Sequence, residues 1–526
     1  MFRNALSLLV AVLATGPIAA SAAHAGPVIR TDAGAVEGRA SGPVEAFLGL
    51  PYAAPPVGEL RWRAPRPVAA WQGRRDATRF GPACYQGVPR PWGPYSAEFL
   101  AGEPLSEDCL TLNVWKPAGT GAKRPVLVFI HGGGFGGGAG NLPVYEGAAL
   151  AARGVVVVTI NYRVGVFGFM AHPGLTAEDP RGTSGNYGRL DQIAALQWVQ
   201  RNAARCGGDP RNVTVAGESA GAASVNYLQV SPLARGLFAK AVSFSGASMA
   251  VGLPALAEGE RAGTALAQRL GAASLADLRR VSAADLVEAT RYVPTVGASA
   301  PPPLQWVPRL DNVVIAADPN RPDAPRAVRV PLLTGFNAAE MIDPSVRTPA
   351  DLERVLRARY GAFADRLLAL YPHASDAEAQ AANVLIARDR YMSGLVLWAE
   401  GRPQGARDRV WLYRHDHPYP PVPGAPSFGA FHSSHLAYVF GNLGLGGRQF
   451  GEADRRVVPQ WQDRLLAFMR SGDPSLPGSA WPSATRAPGQ VMAIGEAGAL
   501  SAAVSTPERF AAFRAYAAQA GRLGLI

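Results

Sequence analysis

The chain has 526 residues, of which 48 % are hydrophobic and 17 % are charged, and its formal net charge at pH 7 is +11. This composition excludes a disordered or collagen-like chain and is typical of a globular protein with a large core. The positive charge is almost all arginine and is scattered without a basic block, so the sequence does not predict binding to nucleic acid.

The first 25 residues differ from the rest of the chain. A positively charged start, the apolar run "ALSLLVAVLA" and the small-residue pattern Ala23-His24-Ala25 predict a signal peptide over residues 1–25. The apolar run is too short for a membrane anchor, and Pro17 interrupts it. We therefore expect an exported protein, periplasmic or secreted and without stable membrane insertion. With no internal repeat or clean linker, we expect residues 26–526 to form one domain.

The chain between the predicted signal peptide and about residue 218 predicts an α/β fold. Short strand-like pieces come first, followed from about residue 111 by the β-rich runs "TLNVWKP", "PVLVFIHGG", "GVVVVTINYR" and "NVTVAGES". Apolar residues at helical spacing in "GRLDQIAALQWVQRNAARCG" predict a helix before the last run. Strands that alternate with helices favour a large, twisted, mostly parallel sheet with helices on both faces.

The second half of the chain predicts fewer strands. Residues 255–380 are rich in Ala, Leu and Arg and predict mainly helix, with one strand-like run, "VRVPLLTGF". Residues 294–308 and 417–429 are rich in proline and predict surface loops.

The segment Gly217-Glu218-Ser219-Ala220-Gly221 fits the pattern G-x-S-x-G. In that pattern a strand turns sharply into a helix, and glycines two residues either side of the serine avoid collisions with the neighbouring backbone. A β-rich run precedes Ser219 and a helix-like run follows it, which favours a nucleophile over a small residue in an ordinary turn.

A second glycine-rich segment lies at residues 126–140, where "VLVFI" runs into "HGGGF". Glycines let several backbone N–H groups point at one position, which is what an oxyanion requires. A phosphate-binding loop is disfavoured because no Lys-Ser or Lys-Thr pair follows. A flexible linker would not follow a buried strand directly, so we interpret the segment as an oxyanion loop.

From about Phe47 to Pro482 the order of motifs resembles the type-B carboxylesterases, the α/β-hydrolase branch that includes cholinesterases and bacterial p-nitrobenzyl esterases. The resemblance rests on "FLGLPYAAPPVGELRW", "SEDCLTLNVWKP", "NYRVGVFGF", "GGDPRNVTVAGESAGAASV", "PLLTGFNAAE" and "GAFHSSHLAYVFGN". It implies an α/β-hydrolase fold with helical insertions around an active-site gorge. It also implies cleavage of small carboxylic esters through an acyl-enzyme, with neither metal nor cofactor.

The resemblance also assigns residues. The segment "GFNAAE" puts the catalytic acid at Glu340 and "GAFH" puts the base at His432, in the chain order of nucleophile, acid and base. The implied oxyanion donors are the N–H groups of Gly133, Gly134 and Ala220, and the implied disulfide joins Cys84 and Cys109.

Two further residues are expected next to this trio. Glu218 resembles a buried acidic neighbour of the nucleophile that is common in the family, and we expect it to support the site by a hydrogen bond. His435 stands where relatives commonly have an acidic residue, three positions after the base. An imidazole there is expected to alter the pKa of His432 or the water network.

Several alternatives stay open at this stage. Asp311 or Asp343 could be the acid in place of Glu340, and His131 could be a base, although we expect it to pack in the glycine loop. His415 and His417 form an H-x-H pair that could suggest a metal, but a surface turn explains the pair better. Cys206 is expected to be a buried thiol rather than a nucleophile.

The substrate is less constrained than the reaction. Cholinesterases place a tryptophan in the disulfide loop, where it binds a quaternary ammonium. The corresponding position here is near Phe99, although Trp92 lies in the same loop, so we do not expect a choline ester as the main substrate. Segments 85–100 and 295–310 are expected to line a gorge for short- to medium-chain hydrophobic acyl or aryl esters. Amide or carbamate hydrolysis and, less so, a non-catalytic binding role are the competing interpretations.

Overall fold

An eleven-stranded sheet runs through most of the chain in a computed structural model of the protein. The structure describes residues 26–119, 121, 123–246, 253–291, 305–321, 323–340, 342–403, 409–519, 521 and 523. The predicted signal peptide, residues 1–25, and most of the proline-rich stretch at 294–308 lie outside the described residues.

The strands are numbered in chain order. They are β1 Val28–Arg30, β2 Ala35–Glu37, β3 Arg39–Ser41, β4 Val44–Pro51, β5 Arg74–Asp76, β6 Ala83–Cys84, β7 Leu105–Ser106, β8 Thr111–Pro117, β9 Arg124–Ile130, β10 Val156–Ile160, β11 Gly208–Glu218, β12 Lys240–Phe244, β13 Leu332–Asn337, β14 Val410–His415, β15 Gln490–Gly495 and β16 Gly498–Ala503. The large sheet has the order β16-β15-β14-β13-β12-β11-β9-β10-β8-β4-β3.

The centre of this sheet is parallel and its two edges are antiparallel. Neighbouring strands from β10 through β9, β11, β12, β13 and β14 to β15 all pair in parallel. Antiparallel pairing occurs at β16 and on the other side at β8, β4 and β3. The prediction of a large, mostly parallel sheet is therefore confirmed.

The helices are α1 Ala148–Ala151, α2 Gly165–Phe169, α3 Pro173–Glu178, α4 Tyr187–Asn202, α5 Ala220–Val230, α6 Leu256–Arg269, α7 Leu275–Arg280, α8 Ala283–Thr290, α9 Pro349–Tyr360, α10 Ala364–Leu368, α11 Asp376–Glu400, α12 Leu436–Phe440, α13 Glu452–Ser471 and α14 Pro507–Ala518. Both faces of the sheet are covered. Val156 and Val158 of β10 belong to one apolar cluster and Val157, between them, belongs to another. Side chains alternate across a strand, so these two clusters are the cores on opposite faces.

The predicted helical middle of the chain is confirmed only in part. Helices α6–α11 and strand β13 lie there, but the described residues between 305 and 331 contain no helix. The carboxylate of Asp311 accepts the backbone N–H groups of Val313, Val314 and Ile315. This side-chain cap and the nearby prolines fix an irregular backbone, and apolar composition alone did not reveal it.

The prediction that His415 and His417 lie in a surface turn is wrong. His415 is the last residue of β14 and is fully buried, and His417 is 7 % exposed. Nδ1 of His415 accepts the indole N–H of Trp461 at 3.1 Å, and Nε2 of His417 lies 2.9 Å from Asp454. The polar residues of this segment did not indicate that it contains the end of a strand, which α13 covers. From Asp416 to Gly429, in contrast, the backbone is an irregular loop whose tip is exposed.

Cys84 and Cys109 form a disulfide, as the resemblance implied, and Cys206 is a buried free thiol whose pKa is raised to about 12 by burial. The disulfide closes the loop of residues 85–108 next to the short parallel pair β6–β7. Among the described helices, none combines the length and the apolar character that crossing a membrane requires.

Removing the disulfide with Cys84→Ala and Cys109→Ala together is expected to lower the free energy of unfolding by about 3 kcal/mol, because the unfolded chain gains the freedom of the opened loop. Urea unfolding followed by tryptophan fluorescence measures this change. Dithiothreitol should destabilise the wild type by a similar amount and leave the double variant unchanged. Equal sensitivity of both proteins to the reductant would contradict the prediction.

Candidate active site

Ser219 lies at the junction of β11 and α5, where φ is 56° and ψ is −120°. This conformation is unusual for a residue with a side chain. A Cβ on Gly217 would lie 2.3 Å from the carbonyl oxygen of Gly221, and a Cβ on Gly221 would lie 2.0 Å from that of Ile130. The predicted strand–turn–helix context is confirmed, and the contacts explain why both flanking positions are glycine.

The glycine loop that follows β9 packs directly against this turn. A Cβ on Gly132 would lie 3.0 Å from Cβ of Ser219 and 2.8 Å from the carbonyl oxygen of Glu218. Gly133 and Gly134 have φ values of +102° and +61°. The N–H groups of Gly133, Gly134 and Ala220 donate to no acceptor among the described residues. The turn thus has three unpaired donors nearby, one of them at the positive end of α5.

Glu340 and His432 come together from two different loops at the same edge of the sheet. Glu340 lies three residues after β13 and is fully buried, and His432 lies in the loop between β14 and α12. Nδ1 of His432 is 3.0 Å from Oε2 of Glu340. This contact orients the imidazole, with Nδ1–H donating to the carboxylate.

The side chains of Ser245, Asn337 and Ser434 position this pair. The sequence analysis assigned a role to none of them, although Asn337 stands in "GFNAAE". Oε1 of Glu340 accepts the hydroxyl of Ser245 and, at 2.8 Å, the backbone N–H of Asn337. The side-chain amide of Asn337 donates to Phe431 O at 2.6 Å and to Ser434 Oγ at 3.1 Å, which ties the histidine loop to the acid. Ser245 and Asn337 lie at the carboxyl ends of β12 and β13. Because functional groups of open α/β sheets collect at this edge, their position was the available signal.

A second carboxylate reaches the other ring nitrogen of His432. Glu218 ends β11 and is 4 % exposed, and its Oε1 lies 3.2 Å from Nε2 of His432. The same oxygen accepts the hydroxyl of Ser433 at 2.6 Å. The hydroxyl of Ser219 forms no hydrogen bond with a described residue, and Nε2 of His432 is within ion-pair distance of Glu218.

The two carboxylates dominate the charge state of His432. Burial of the ring acts to lower its pKa, but Glu218 and Glu340 outweigh this effect and raise the pKa of His432 to about 9. Burial in turn raises the pKa of Glu218 above the ordinary value for a glutamate. The arrangement thus favours an imidazolium near neutral pH.

The other candidate acids and bases lie elsewhere. Asp311 caps the backbone after residue 311 and accepts from Thr183 and Asn186, and Asp343 bonds to Ser345. The ring of His131 stacks on Tyr162 with 4.3 Å between centroids, and burial lowers its pKa to about 4. As expected, His131 packs beneath the glycine loop.

His435 is buried behind the site. Its ring lies 5.1 Å from Phe244, 5.7 Å from Trp461 and 5.9 Å from Tyr413, measured between centroids. Both of its nitrogens are without a hydrogen-bond partner in the described part of the chain. Burial lowers the pKa of His435 well below its ordinary value, so the ring is neutral.

The disulfide loop contributes aromatic rings beside His432. The hydroxyl of Tyr95 donates to the carbonyl of His432 at 3.0 Å, and Phe99 packs edge-on against Phe431 and Tyr419. Trp92 is 64 % exposed and lies on Tyr95 with 4.7 Å between centroids. Phe99 is therefore part of an aromatic cluster.

A cavity of about 840 Å³ adjoins the site at Gly134. Its walls include Tyr85 and Phe167 on one side and Trp306 on another. Residues 85–87 of segment 85–100 and residues 305, 306 and 309 of segment 295–310 line this cavity, and a gorge over Ser219 stays a prediction. The volume is in the range of small-molecule sites.

Residues 25–510 match the model of the carboxylesterase family. The chain belongs to this family. It is 38 % identical to a fumonisin B1 esterase of Sphingopyxis macrogoltabida, across 91 % of this chain and 88 % of that one. It is 35 % identical to a para-nitrobenzyl esterase of Bacillus subtilis strain 168, across 87 % and 92 %. A solved PNB esterase superposes with a TM-score of 0.74 at 32 % identity, covering 92 % of this chain and 99 % of that one.

Membership in this family makes the chain a carboxylic ester hydrolase with the α/β-hydrolase fold. The resemblance read from the motifs is confirmed at the level of family, fold and reaction class. The strand–turn–helix at Ser219 and the pairing of Glu340 with His432 are the local geometry that this chemistry requires.

Glu218→Gln is expected to lower the pKa of His432 by roughly one unit or more, because a negative charge 3.2 Å from Nε2 is removed. The acid limb of kcat/KM against pH should then move to lower pH, since a general base must be unprotonated. Ser433→Ala is the matched control, because it removes the hydrogen bond to Glu218 and retains both carboxylates. An acid limb that stays in place in Glu218→Gln would contradict the assignment.

Proposed function

We propose that Ser219, His432 and Glu340 are the catalytic residues of this esterase. His432 removes the proton of Ser219 as the hydroxyl attacks the ester carbonyl, and Glu340 orients the imidazole and stabilises its charged form. His432 then protonates the leaving alcohol, and water cleaves the acyl-enzyme by the same route. The observation that carries this proposal is the 3.0 Å contact between Nδ1 of His432 and Glu340, which holds the base at the edge where Ser219 turns.

The N–H groups of Gly133, Gly134 and Ala220 are the proposed oxyanion donors. Two observations support this assignment. None of these N–H groups donates a hydrogen bond to a described acceptor, and the glycine loop contacts the turn at Ser219. Donors that are fixed before the reaction need no reorganisation when negative charge develops. Each such donor contributes about 100- to 1,000-fold to the rate in comparable sites.

Glu218 controls whether Nε2 of His432 is available. In the protonated ring, Nε2 forms an ion pair with Glu218 at 3.2 Å, without the geometry of a hydrogen bond. Loss of the proton on Nε2 removes the attraction, and Nε2 then accepts from the hydroxyl of Ser219. Catalysis therefore requires the imidazole to exchange Glu218 for Ser219, which couples the rate to the pKa of His432.

We propose short- to medium-chain or aryl esters as substrates. The apolar rings and valines around the cavity next to Gly134 support this choice, because they exclude water from an acyl or aryl group. Phe99 supports a substrate other than a choline ester, since its ring packs among Tyr419 and Phe431.

We also propose that the protein is exported. The sequence of residues 1–25 supports this location, and so does the disulfide between Cys84 and Cys109, because such bonds persist in oxidising compartments.

Ser219→Ala is expected to lower kcat on p-nitrophenyl butyrate by about 10⁴-fold or more, and Glu340→Gln by about 10³-fold or more. Purified mature protein is assayed on the acetate, butyrate and palmitate esters, together with butyryl-p-nitroanilide, which tests for amidase activity. Circular dichroism establishes that the variants fold, and a fluorophosphonate probe should label the wild type but not Ser219→Ala. Full activity in Ser219→Ala would overturn the proposal.

A further inference from the structure

The cavity beside the oxyanion loop is not lined by apolar groups alone. It extends from Gly134 between α2, α6, the end of α8 and residues 305–309, and its described walls contain Glu258, Arg269, Arg291 and Arg309. Three positive side chains and one negative side chain thus face a space that adjoins the proposed reaction centre. Ser219, His432 and Glu340 are not among the described lining residues, so the cavity adjoins the proposed reaction centre through Gly134 and Gly136 of the glycine loop.

Arg309 is the group that points to a ligand. It is 4 % exposed, and its Nε forms no hydrogen bond with a described atom. Its Nη2 donates to the carbonyl oxygen of Gln305 at 2.5 Å, and no described carboxylate pairs with it. A buried guanidinium that has lost its water is costly unless a nearby charge offsets the loss, and the charge of Glu258, which lines the same cavity, acts on Arg309 from beyond ion-pair distance. Burial accordingly lowers the pKa of Arg309.

Helix α6 leaves room for this guanidinium. A Cβ on Gly259 would lie 2.8 Å from Nε of Arg309, so glycine at this position lets the side chain lie against the helix. A guanidinium matches a carboxylate with two parallel hydrogen bonds, and this geometry makes arginine the usual partner of carboxylates. Nε of Arg309 is enclosed by protein atoms, whereas Nη1 forms no hydrogen bond with a described atom and is the donor left for such a carboxylate.

Two exposed arginines extend the positive charge along the cavity. Arg269 ends α6 and has no carboxylate partner in the described ranges, and Arg291 pairs with Glu288 at 2.9 Å. Exposed charges of one sign around a cleft raise the local concentration of ligands of the other sign. Arg269 is placed to attract an anion that Arg309 then binds.

We infer that this cavity selects esters that carry a carboxylate at the end remote from the scissile bond, with Arg309 as its partner and Arg269 as an attracting charge. The apolar rings of Tyr85, Phe167 and Trp306 then contact the spacer between ester and carboxylate. This inference rests on the proposed function and narrows its substrate class from apolar esters to esters with an apolar body and an anionic end.

The test compares two ethyl esters of equal acyl length, ethyl pentanoate and monoethyl glutarate, which differ in a terminal methyl or carboxylate. Ethanol release at about pH 8, where the carboxylate is ionised, gives kcat/KM for each. We expect the wild type to prefer the monoethyl glutarate. Arg309→Gln should lower the ratio of glutarate to pentanoate kcat/KM by about tenfold or more, the size of a charged hydrogen bond, and Arg269→Gln by about two- to threefold.

Arg261→Gln is the control, because Arg261 is an exposed residue of the same helix and does not line the cavity. The ratio should be unchanged in this variant. Raising NaCl from about 50 to about 500 mM should reduce the wild-type preference, since salt screens the attraction. Arg309→Lys should retain part of the preference, because it keeps the charge but loses the paired geometry.

The outcomes separate the two proposals. A wild type that prefers ethyl pentanoate, or an Arg309→Gln variant with an unchanged ratio, would overturn the anionic preference and leave the esterase proposal intact. A wild type inert on both esters and on p-nitrophenyl butyrate would overturn the proposed function and this inference with it.

Discussion

Close backbone contact around Ser219 is the constraint on which the rest of the site depends. The turn at φ 56° brings the start of α5 against the end of β9, and a Cβ on Gly217, Gly221 or Gly132 would lie within 2.0 to 2.8 Å of a backbone oxygen. The strained turn persists because the parallel strands on either side over-determine it, with Ser219 N donating to Phe244 O at 3.0 Å. These contacts hold Ser219 next to the glycine loop with its unpaired N–H groups.

The second feature of the site is the proposed base, His432, held between two carboxylates. Glu340 fixes the ring of His432 and Glu218 competes for its free nitrogen, so the same charges that orient the base also raise its pKa to about 9. An orienting carboxylate makes the base stronger, and a second one makes it harder to deprotonate at neutral pH. We therefore expect low activity at low pH, where His432 is protonated, and a strong base at high pH, where it is not.

Much of the fold and the proposed site could be predicted because short-range patterns encode them. Glycines at 217 and 221 indicate a tight turn, and the apolar run of β9 indicates a buried strand. The strand, the turn and the helix could therefore be predicted from the sequence. The positions of Glu340 and His432 came from family motifs, since no local pattern joins residues 92 apart in sequence.

What could not be predicted depends on contacts between distant segments. His415 was placed in a surface turn because its neighbours are polar and proline-rich, but α13 covers it through Trp461. Ser245 and Arg309 carry no sequence motif, and Asn337 stands in "GFNAAE" without its contacts being evident from that motif. Their roles arise only when β12, β13 and the segment before Asp311 meet the loops at the sheet edge.

His435 is neutral and therefore adds no charge to the site behind His432. An acidic residue at this position would add a third negative charge behind His432. The buried imidazole adds none, because its pKa lies well below the ordinary value and its nearest rings are aromatic. The pKa of His432 is therefore controlled by Glu218 and Glu340, and of these two Glu218 is the one that can be neutralised without loosening the contact that orients the base.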